Sequence, residues 1–294
     1  MKTLVIGASG LLGVHIAREF GRAGAVVGTY HRRAVEGLTP LDAADRDAVL
    51  RLAQTLRPSV VCYAAALRDV QLCEREPERT RAVNVDGVRH ALDAAREVNA
   101  TFVYFSSDYV FDGESGPYAE DAEPRPVNEY GRQKAECESL ICQAWDDHLI
   151  ARVSTVYGWP ASGASDENVA TRVLRALRAG EPLDVPVQQV GTPTHAPNLA
   201  EALRELVKRG CRGTYHLVGN DRMNRYEFSL LVAEVFGLDR SLIAPRPTLP
   251  GAAKWPLKVG LLNDKARAAL RSVRLLGARE GLVAMRAAEC WRDE

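Results

Sequence analysis

Short apolar segments alternate with stretches of helical period along the first 158 residues of this 294-residue chain. Five such segments occur, and they read KTLVI, AVVGTY, SVVCYAAA, TFVYFSS and HLIARVSTVYG. Strands that are apolar throughout are typical of parallel sheets covered by helices on both faces, because neither face of such a sheet meets water. The alternation therefore predicts an α/β fold built on a doubly wound parallel sheet.

The regular alternation of apolar strands and helices ends after Gly158. Short strands, proline-punctuated loops and amphipathic helices follow, and residues 245–260 are rich in proline. We therefore expect two parts, a sheet domain of residues 1–158 and a smaller C-terminal α/β lobe of residues 159–294. The strand GTYHLVG within the second part predicts that the lobe is interleaved with the last strands of the sheet.

Composition narrows the classes of partner. Lysine plus arginine and aspartate plus glutamate both number 38, and this balance argues against a nucleic-acid or anionic-membrane surface. No apolar run has the length needed to span a bilayer. The six cysteines form no Cys-x-x-Cys pair and no Cys/His cluster with zinc spacing, which predicts reduced thiols in the cytoplasm and no metal site.

A glycine-rich turn, GASGLLG, joins the first strand to the first helix. Gly7 permits a tight turn, Gly10 permits close approach of a pyrophosphate, and Gly13 permits the helix to pack on the sheet. The helix N-terminus would offer backbone N–H groups to the phosphates. The spacing is Gly-x-x-Gly-x-x-Gly, which differs from the Gly-x-Gly-x-x-Gly of ordinary dehydrogenases.

The second strand ends in TYHRR, where an NAD site usually has an acid for the ribose hydroxyls. His31, Arg32 and Arg33 stand there instead. A guanidinium suits a 2′-phosphate, so the segment favours NADP(H) over NAD. The alternative is that these arginines are a solvated strand end. Asp42 falls where an adenine amino group could be bound.

Tyr130 and Lys134 are four residues apart at a helix start, in EYGRQKAE. This spacing puts both side chains on one face. A cation one turn away would lower the pKa of a phenol from its ordinary value of about 10. On its own, the pair is equally typical of a surface helix.

Together these features resemble the extended short-chain dehydrogenase/reductases. The motifs are Gly-x-x-Gly-x-x-Gly, Asn84 in NVDG, SSDYVFDG, Tyr130-x-x-x-Lys134 and RVSTVYG. Within that superfamily, SDYVFDG, GTPTHAPNLAEAL and GTYHLVGNDRMNRYEF are most similar to the dTDP-4-dehydrorhamnose reductase group. The regulatory β subunit of methionine adenosyltransferase is similar too. The resemblance extends over nearly the whole chain.

The resemblance implies a Rossmann fold and a catalytic triad. Ser107 would hydrogen-bond the substrate carbonyl, and Tyr130 would donate a proton to its oxygen. Lys134 would bind the nicotinamide ribose and depress the pKa of Tyr130. Residues 1–158 would bind NADP and carry the tyrosine and lysine, and residues 159–294 would bind the substrate.

The resemblance also supplies the wider site. Residues expected at the cofactor are Gly7, Ser9, Gly10, Leu11, Leu12, Gly13, His31, Arg32, Arg33, Leu41, Asp42, Ala64, Ala65, Ala66, Asn84, Tyr130 and Lys134. Residues expected at the substrate are Ser107, Asp108, Tyr109, Asn128 and Gln189. Leu67 and Arg68 depart from the residues usual in rhamnose-type reductases, so the wall that faces the sugar is expected to differ.

The implied function is NADPH-dependent reduction of a 4-keto-6-deoxyhexose carried by a nucleotide, in a cytoplasmic protein of carbohydrate biosynthesis that the family suggests is a homodimer. One alternative is a regulatory subunit that binds NADP without turnover. Another is a sugar-nucleotide epimerase or dehydratase. A dehydratase normally needs two acids beside the serine, whereas this chain has only Asp108 there. Arg222 and Arg225 are open to two interpretations, contact with a diphosphate or a surface helix start.

Overall fold

The computed structural model describes residues 1–32, 34–160, 168–247, 251 and 253–289. Arg33 lies outside these residues. The described residues contain thirteen strands. They are β1 (Thr3–Ile6), β2 (Val26–Tyr30), β3 (Thr39–Pro40), β4 (Val60–Tyr63), β5 (Thr101–Ser107), β6 (His148–Val153), β7 (Val156–Tyr157), β8 (Leu183–Pro186), β9 (Val190–Gly191), β10 (Thr194–His195), β11 (Gly213–His216), β12 (Met223–Asn224) and β13 (Ile243–Arg246).

Helices separate most of the strands. The α-helices of the described ranges are α1 (Leu11–Gly21), α2 (Arg46–Leu56), α3 (Val70–Arg75), α4 (Pro77–Arg81), α5 (Gly87–Glu97), α6 (Glu129–Ala144), α7 (Val169–Arg178), α8 (Ala196–Lys208), α9 (Arg225–Phe236), α10 (Asp264–Ala269) and α11 (Ala278–Ala287). None of the described helices is both long and apolar enough to cross a membrane.

Seven strands form the main sheet, in the order β11-β6-β5-β4-β1-β2-β3. Every neighbouring pair is parallel. From β1 the chain moves outward to β2 and β3, then returns to place β4 on the other side of β1. Ligands of open α/β sheets bind where the strand order reverses in this way, outside the carboxyl ends of the strands. The predicted doubly wound α/β fold is confirmed.

Both faces of the sheet are covered, which explains the apolar strands. In β1, Val5 packs into the cluster that contains residues of α1 and α8. Its neighbours Leu4 and Ile6 pack into the opposite cluster, with residues of α2, α5 and α6. Because successive side chains of a strand point to opposite faces, a strand covered on both sides has no positions that face solvent.

The segment 78–99, which reads as one long helix, is interrupted in the structure. Helix α4 ends at Arg81, a π-helical turn spans Ala82–Asp86, and α5 begins at Gly87. The cause is Tyr63, whose hydroxyl donates a hydrogen bond to the Val83 carbonyl oxygen at 2.6 Å. A side chain inserted at a helix carbonyl in this way widens the turn.

The smaller lobe has its own core. Side chains of α7, α9 and α11 form a separate buried cluster with Val185 of β8 and Ile243 of β13. Strands β8 and β13 pair in parallel beside this cluster. The lobe also contributes β11, which pairs with β6 at the edge of the main sheet.

Candidate active site

The glycine turn between β1 and α1 leaves no room for side chains at two of its positions. Gly7 has a φ of +87°, and a Cβ there would lie 2.6 Å from the Ala65 backbone nitrogen. A Cβ at Gly13 would lie 2.1 Å from the Gly7 carbonyl oxygen. Gly10 is the N-cap residue of α1, and the first turn of this helix carries no acidic side chain. The turn and the positive end of the helix dipole therefore favour an anion here.

The end of β2 and the start of the next loop come together. His31 Nε2 lies 3.6 Å from Asp42 Oδ2, and both side chains are about half exposed. Arg32 is exposed beside them. The N–H of buried Leu41 donates to the Tyr30 carbonyl oxygen at 2.8 Å, which fixes the loop against the strand. A polar rim thus forms at the position expected for the adenosine ribose.

Asn84 lies beneath the loop that follows β4. Its side-chain oxygen accepts from the Leu67 N–H at 2.8 Å, and its Nδ2 donates to the Leu67 carbonyl and to Gln133 Oε1, each at 2.9 Å. The side chain is buried. These bonds hold the loop, which includes Ala64, Ala65 and Ala66, against α6, so the observed contacts of Asn84 are with protein groups.

Ser107 ends β5 inside a buried hydrogen-bond network. Its hydroxyl donates to Asp108 Oδ1 at 3.1 Å and accepts from the Tyr109 N–H at 3.2 Å. The other carboxylate oxygen of Asp108 accepts from Ser154 Oγ at 2.5 Å. Burial raises the pKa of Asp108, although the two serine hydroxyls and Arg225 oppose that rise. The hydroxyl proton of Ser107 thus points to Asp108.

Lys134 lies on the inner face of α6. Its Nζ donates to the Phe105 carbonyl oxygen at 2.7 Å, on the strand that ends at Ser107. The same nitrogen is 4.7 Å from the centre of the Tyr104 ring and 5.7 Å from that of Tyr130. Burial lowers the pKa of Lys134 to about 8. The ammonium is thus held close to the end of β5 rather than in solvent.

The acidity of Tyr130 differs from the expectation. Burial raises the pKa of this phenol above its ordinary value, and the cation that opposes the rise is Arg68. Desolvation disfavours the phenolate more strongly than the nearby positive charge favours it. Tyr130 therefore stays a neutral phenol at neutral pH, as a free phenol does, and its raised pKa makes it a weaker acid, so the expected lowering of its pKa is wrong.

Asn128 sets the start of α6. Its Oδ1 accepts from the Gly131 N–H at 2.8 Å, and its Nδ2 donates to the Lys254 carbonyl oxygen at 3.0 Å. The side chain is fully buried. A Cβ at Gly131 would lie 2.1 Å from the Tyr109 carbonyl oxygen, so α6 packs directly on the segment after Ser107. Asn128 thereby positions Tyr130, and its predicted contact with substrate stays a prediction.

Tyr109 contacts both Tyr130 of α6 and two residues of the smaller lobe. Its ring meets Tyr130 edge-on at 5.9 Å and Trp255 edge-on at 6.1 Å between ring centres. Its hydroxyl accepts from Gln189 Nε2 at 2.5 Å. Burial raises the pKa of Tyr109 to about 12. A neutral aromatic wall therefore runs from Tyr130 towards the smaller lobe.

A cleft of about 220 Å³ lies in the smaller lobe beside that wall. Its apolar side includes Val173 and Val185, and three arginines also line it. These are Arg172 of α7, Arg225 of α9 and Arg246 of β13. Gln189 and Trp255 belong both to the cleft and to the contacts of Tyr109. Gln189 and Trp255 thus connect the arginine-lined cleft to Tyr109, the neighbour of Tyr130.

The two interpretations of Arg222 and Arg225 separate in the structure. Arg225 lines the cleft. Arg222 donates instead to the carbonyl oxygens of Val259 at 2.7 Å and Lys258 at 3.3 Å. Arg172, Arg246 and Trp255 were not expected from the sequence, and none of them stands in a recognisable motif.

Comparison with known proteins decides the family. The family model described as the RmlD substrate binding domain matches residues 1–285. The chain belongs to this family. The resemblance to the dTDP-4-dehydrorhamnose reductase group of the extended short-chain dehydrogenase/reductases is thereby confirmed.

Relatives of this RmlD-family chain include a probable reductase and a subunit of a methionine adenosyltransferase. It is 36% identical over 250 residues to a probable low-salt glycan biosynthesis reductase of Haloferax volcanii, covering 83% of each chain. It is 32% identical over 262 residues to methionine adenosyltransferase 2 subunit beta of Xenopus laevis, covering 87% of this chain and 78% of the relative. A hypothetical dTDP-4-dehydrorhamnose reductase from Sulfolobus tokodaii superposes with a TM-score of 0.84 at 30% identity, covering 94% and 97% of the two chains.

In this member of the RmlD family, the predicted catalytic residues lie on neighbouring elements. Ser107 ends β5, while Tyr130 and Lys134 lie on α6, which contacts β5 through the Lys134–Phe105 hydrogen bond. Within the described ranges, no group of three or more His, Cys, Asp or Glu side chains is arranged to hold a metal ion. The hydroxyls of Ser107 and Tyr130 and the ammonium of Lys134 supply groups for proton transfer and hydrogen bonding.

Proposed function

We propose that this chain is an NADP(H)-dependent reductase of a keto group on a nucleotide-activated sugar of the 4-keto-6-deoxyhexose type. The observation that carries the proposal is the arginine-lined cleft, whose wall residue Trp255 contacts Tyr109, which in turn contacts Tyr130. Three guanidinium groups suit the two phosphates of a nucleotide sugar, since guanidinium pairs well with phosphate oxygens. The aromatic wall of Tyr109 and Trp255 extends from these phosphate-binding groups to Tyr130.

The residues around the glycine turn fit a dinucleotide. The tight backbone turn that Gly7 and Gly13 permit, together with the N-terminus of α1, suits a pyrophosphate. Arg32, exposed at the end of β2, would meet a 2′-phosphate. When bound, the nicotinamide supplies a hydride to the keto carbon. No metal is proposed.

Residues of this chain would stabilise and protonate the alkoxide that develops on the substrate. The hydroxyl of Ser107 would turn from Asp108 to the substrate oxygen and donate to it. Tyr130, a neutral phenol at neutral pH, would transfer its proton to the same oxygen. Lys134, held at the Phe105 carbonyl, would stabilise the resulting phenolate by its positive charge. Positioned acids of this kind typically contribute 10²–10⁴ in rate.

A second candidate is a regulatory subunit that binds NADP without turnover, and the similarity to methionine adenosyltransferase 2 subunit beta favours it. The presence of Ser107, Tyr130 and Lys134 favours the reductase instead. A dehydratase is disfavoured because the acid beside Ser107 is the single carboxylate of Asp108, which is already bonded to Ser107 and Ser154.

Turnover separates the two main candidates. Purified protein mixed with NADPH and dTDP-4-keto-6-deoxyglucose is expected to deplete NADPH fluorescence at a rate proportional to protein concentration. Omission of the sugar serves as the control. Tight NADPH binding without turnover, across a panel of 4-keto sugar nucleotides, would contradict the reductase and support the regulatory subunit.

Arg32→Ala should weaken NADPH binding about tenfold or more, because a hydrogen bond to a charged group contributes about 1.5–3 kcal/mol. NADH affinity should be nearly unchanged, since NADH lacks the 2′-phosphate. Fluorescence titration with both cofactors measures the difference. Arg240→Ala is the matched control, because Arg240 is exposed in the smaller lobe. Equal losses for NADPH and NADH would remove the role of Arg32.

A further inference from the structure

Two buried nitrogens on the wall of the arginine-lined cleft lack hydrogen-bond partners. Arg246 Nε and Trp255 Nε1 are both shielded from solvent, and neither has a partner within the described ranges of the chain. Both residues line the cleft. Most buried polar groups in native proteins are satisfied, because an unpaired buried donor is destabilising by about 1–3 kcal/mol. Two such donors belong to residues of one cleft, and each could donate to an acceptor oxygen of a ligand there.

Trp255 differs in this respect from the other two tryptophans that the structure describes. Trp145 Nε1 donates to the Ala100 carbonyl oxygen at 3.1 Å, and Trp159 Nε1 donates to the Met285 carbonyl oxygen at 2.7 Å. Their indole N–H groups are therefore used within the fold. The indole N–H of Trp255 has no such structural use.

The place of Trp255 suggests which part of the ligand it meets. Its ring contacts Tyr109 edge-on, and Tyr109 contacts Tyr130 edge-on. On its other side, the indole lines the same cleft as the three arginines. A ligand with its phosphates at the arginines and its keto carbon at Tyr130 has its hexose ring between them, beside Trp255.

The backbone on both sides of Trp255 is tied down. Asn128 Nδ2 donates to the Lys254 carbonyl oxygen at 3.0 Å. The Leu257 carbonyl oxygen accepts from the Val190 N–H at 2.7 Å, and the Lys258 N–H donates to the Gly113 carbonyl oxygen at 2.8 Å. The backbone that carries Trp255 is thus held in place, so little backbone conformational entropy is lost on binding.

We propose that Trp255 is a specificity-determining residue whose indole N–H donates a hydrogen bond to an oxygen of the hexose. The inference rests on the proposed function, because it takes a nucleotide sugar as the occupant of the cleft. Since the indole N–H is already desolvated in the free protein, the new bond adds to affinity without a further desolvation penalty. The same bond would distinguish a nucleotide sugar from the nucleotide alone.

Trp255→Phe tests the proposal, because it removes the N–H and keeps an aromatic ring against Tyr109. Calorimetric titration with dTDP-glucose, a sugar nucleotide without a keto group, should show about tenfold weaker binding to the variant than to the wild type. Affinity for dTDP should change by less than about threefold. The unfolding midpoint should stay equal or rise, since the variant loses an unpaired buried donor.

Trp145→Phe and Trp159→Phe are the matched controls. Each removes an indole N–H that bonds within the fold, so each should lower the unfolding midpoint and leave dTDP-glucose affinity unchanged. Indole N–H resonances of the wild type give an independent readout that needs no Trp255 variant. One resonance that is unaffected by either control substitution should shift downfield with dTDP-glucose and not with dTDP.

The outcomes separate this inference from the proposed function. A wild type that binds neither dTDP nor dTDP-glucose would overturn the nucleotide-sugar function itself. A wild type that binds dTDP-glucose while Trp255→Phe binds it equally well would overturn only the role of Trp255. Equal losses for dTDP and dTDP-glucose would place the indole contact on the nucleotide and overturn its assignment to the hexose.

Discussion

Tyr130→Phe should lower kcat for NADPH-dependent reduction by at least about 100-fold, because general acid catalysis typically contributes 10²–10⁴ in rate. The phenyl ring keeps the edge-on contact with Tyr109, so NADPH affinity and the unfolding midpoint should stay close to those of the wild type. Steady-state kinetics and a fluorescence titration of NADPH measure the two effects separately.

Tyr109→Phe is the matched control for that experiment. It removes a hydroxyl from the same aromatic wall, one that accepts from Gln189 rather than facing the reacting carbonyl. Its loss of kcat should therefore be much smaller than that of Tyr130→Phe. Full activity of Tyr130→Phe, or an equal loss in both variants, would show that Tyr130 is not the proton donor.

Arg152→Met should lower the free energy of unfolding by about 3–5 kcal/mol, because it leaves a buried carboxylate without its partner. Arg152 of β6 and Glu138 of α6 are only 5% and 7% exposed, and they form two hydrogen bonds of 2.9 Å and 2.7 Å. The pair holds the helix of Tyr130 and Lys134 against the sheet. Urea unfolding monitored by circular dichroism measures the loss.

The double variant Arg152→Met/Glu138→Leu supplies the control. Replacing a whole buried ion pair by apolar side chains of similar volume is often neutral or stabilising. Much of the stability lost in Arg152→Met should therefore return in the double variant. A loss below about 1 kcal/mol in the single variant would mean that Glu138 is compensated by another group or by solvent.

Much of the fold follows from local pattern. Each of the five apolar segments contains a strand of the main sheet, and TFVYFSS coincides with β5. The π-helical turn at Ala82–Asp86 does not follow from local pattern, since the local sequence of this segment is compatible with a helix. Its cause is the hydroxyl of Tyr63, twenty residues earlier in the chain. A contact of that kind is visible only once the tertiary structure is known.

The candidate site, too, could be predicted only in part from the sequence. Ser107, Tyr130 and Lys134 stand in short motifs, so their predicted roles could be stated from the sequence. The lining of the cleft could not, because Arg172, Arg246 and Trp255 come from separate elements that only the folded chain brings together. The raised pKa of Tyr130 could not be predicted either, because the burial of its side chain depends on the tertiary structure. Desolvation of the phenolate outweighs the neighbouring positive charge.

The hydrogen bond between Asn128 and the main chain of residue 254 has a consequence for how substrate selectivity can change in this fold. Asn128 donates to a main-chain carbonyl oxygen, so the hydrogen bond does not depend on the identity of the side chains at residues 254–257. Substitutions along residues 254–257, of which Trp255 lines the cleft, can therefore reshape its wall while the backbone stays in register with α6. Substrate selectivity can change at this wall without a change at Tyr130. Random libraries confined to residues 254–257 should therefore retain folded proteins.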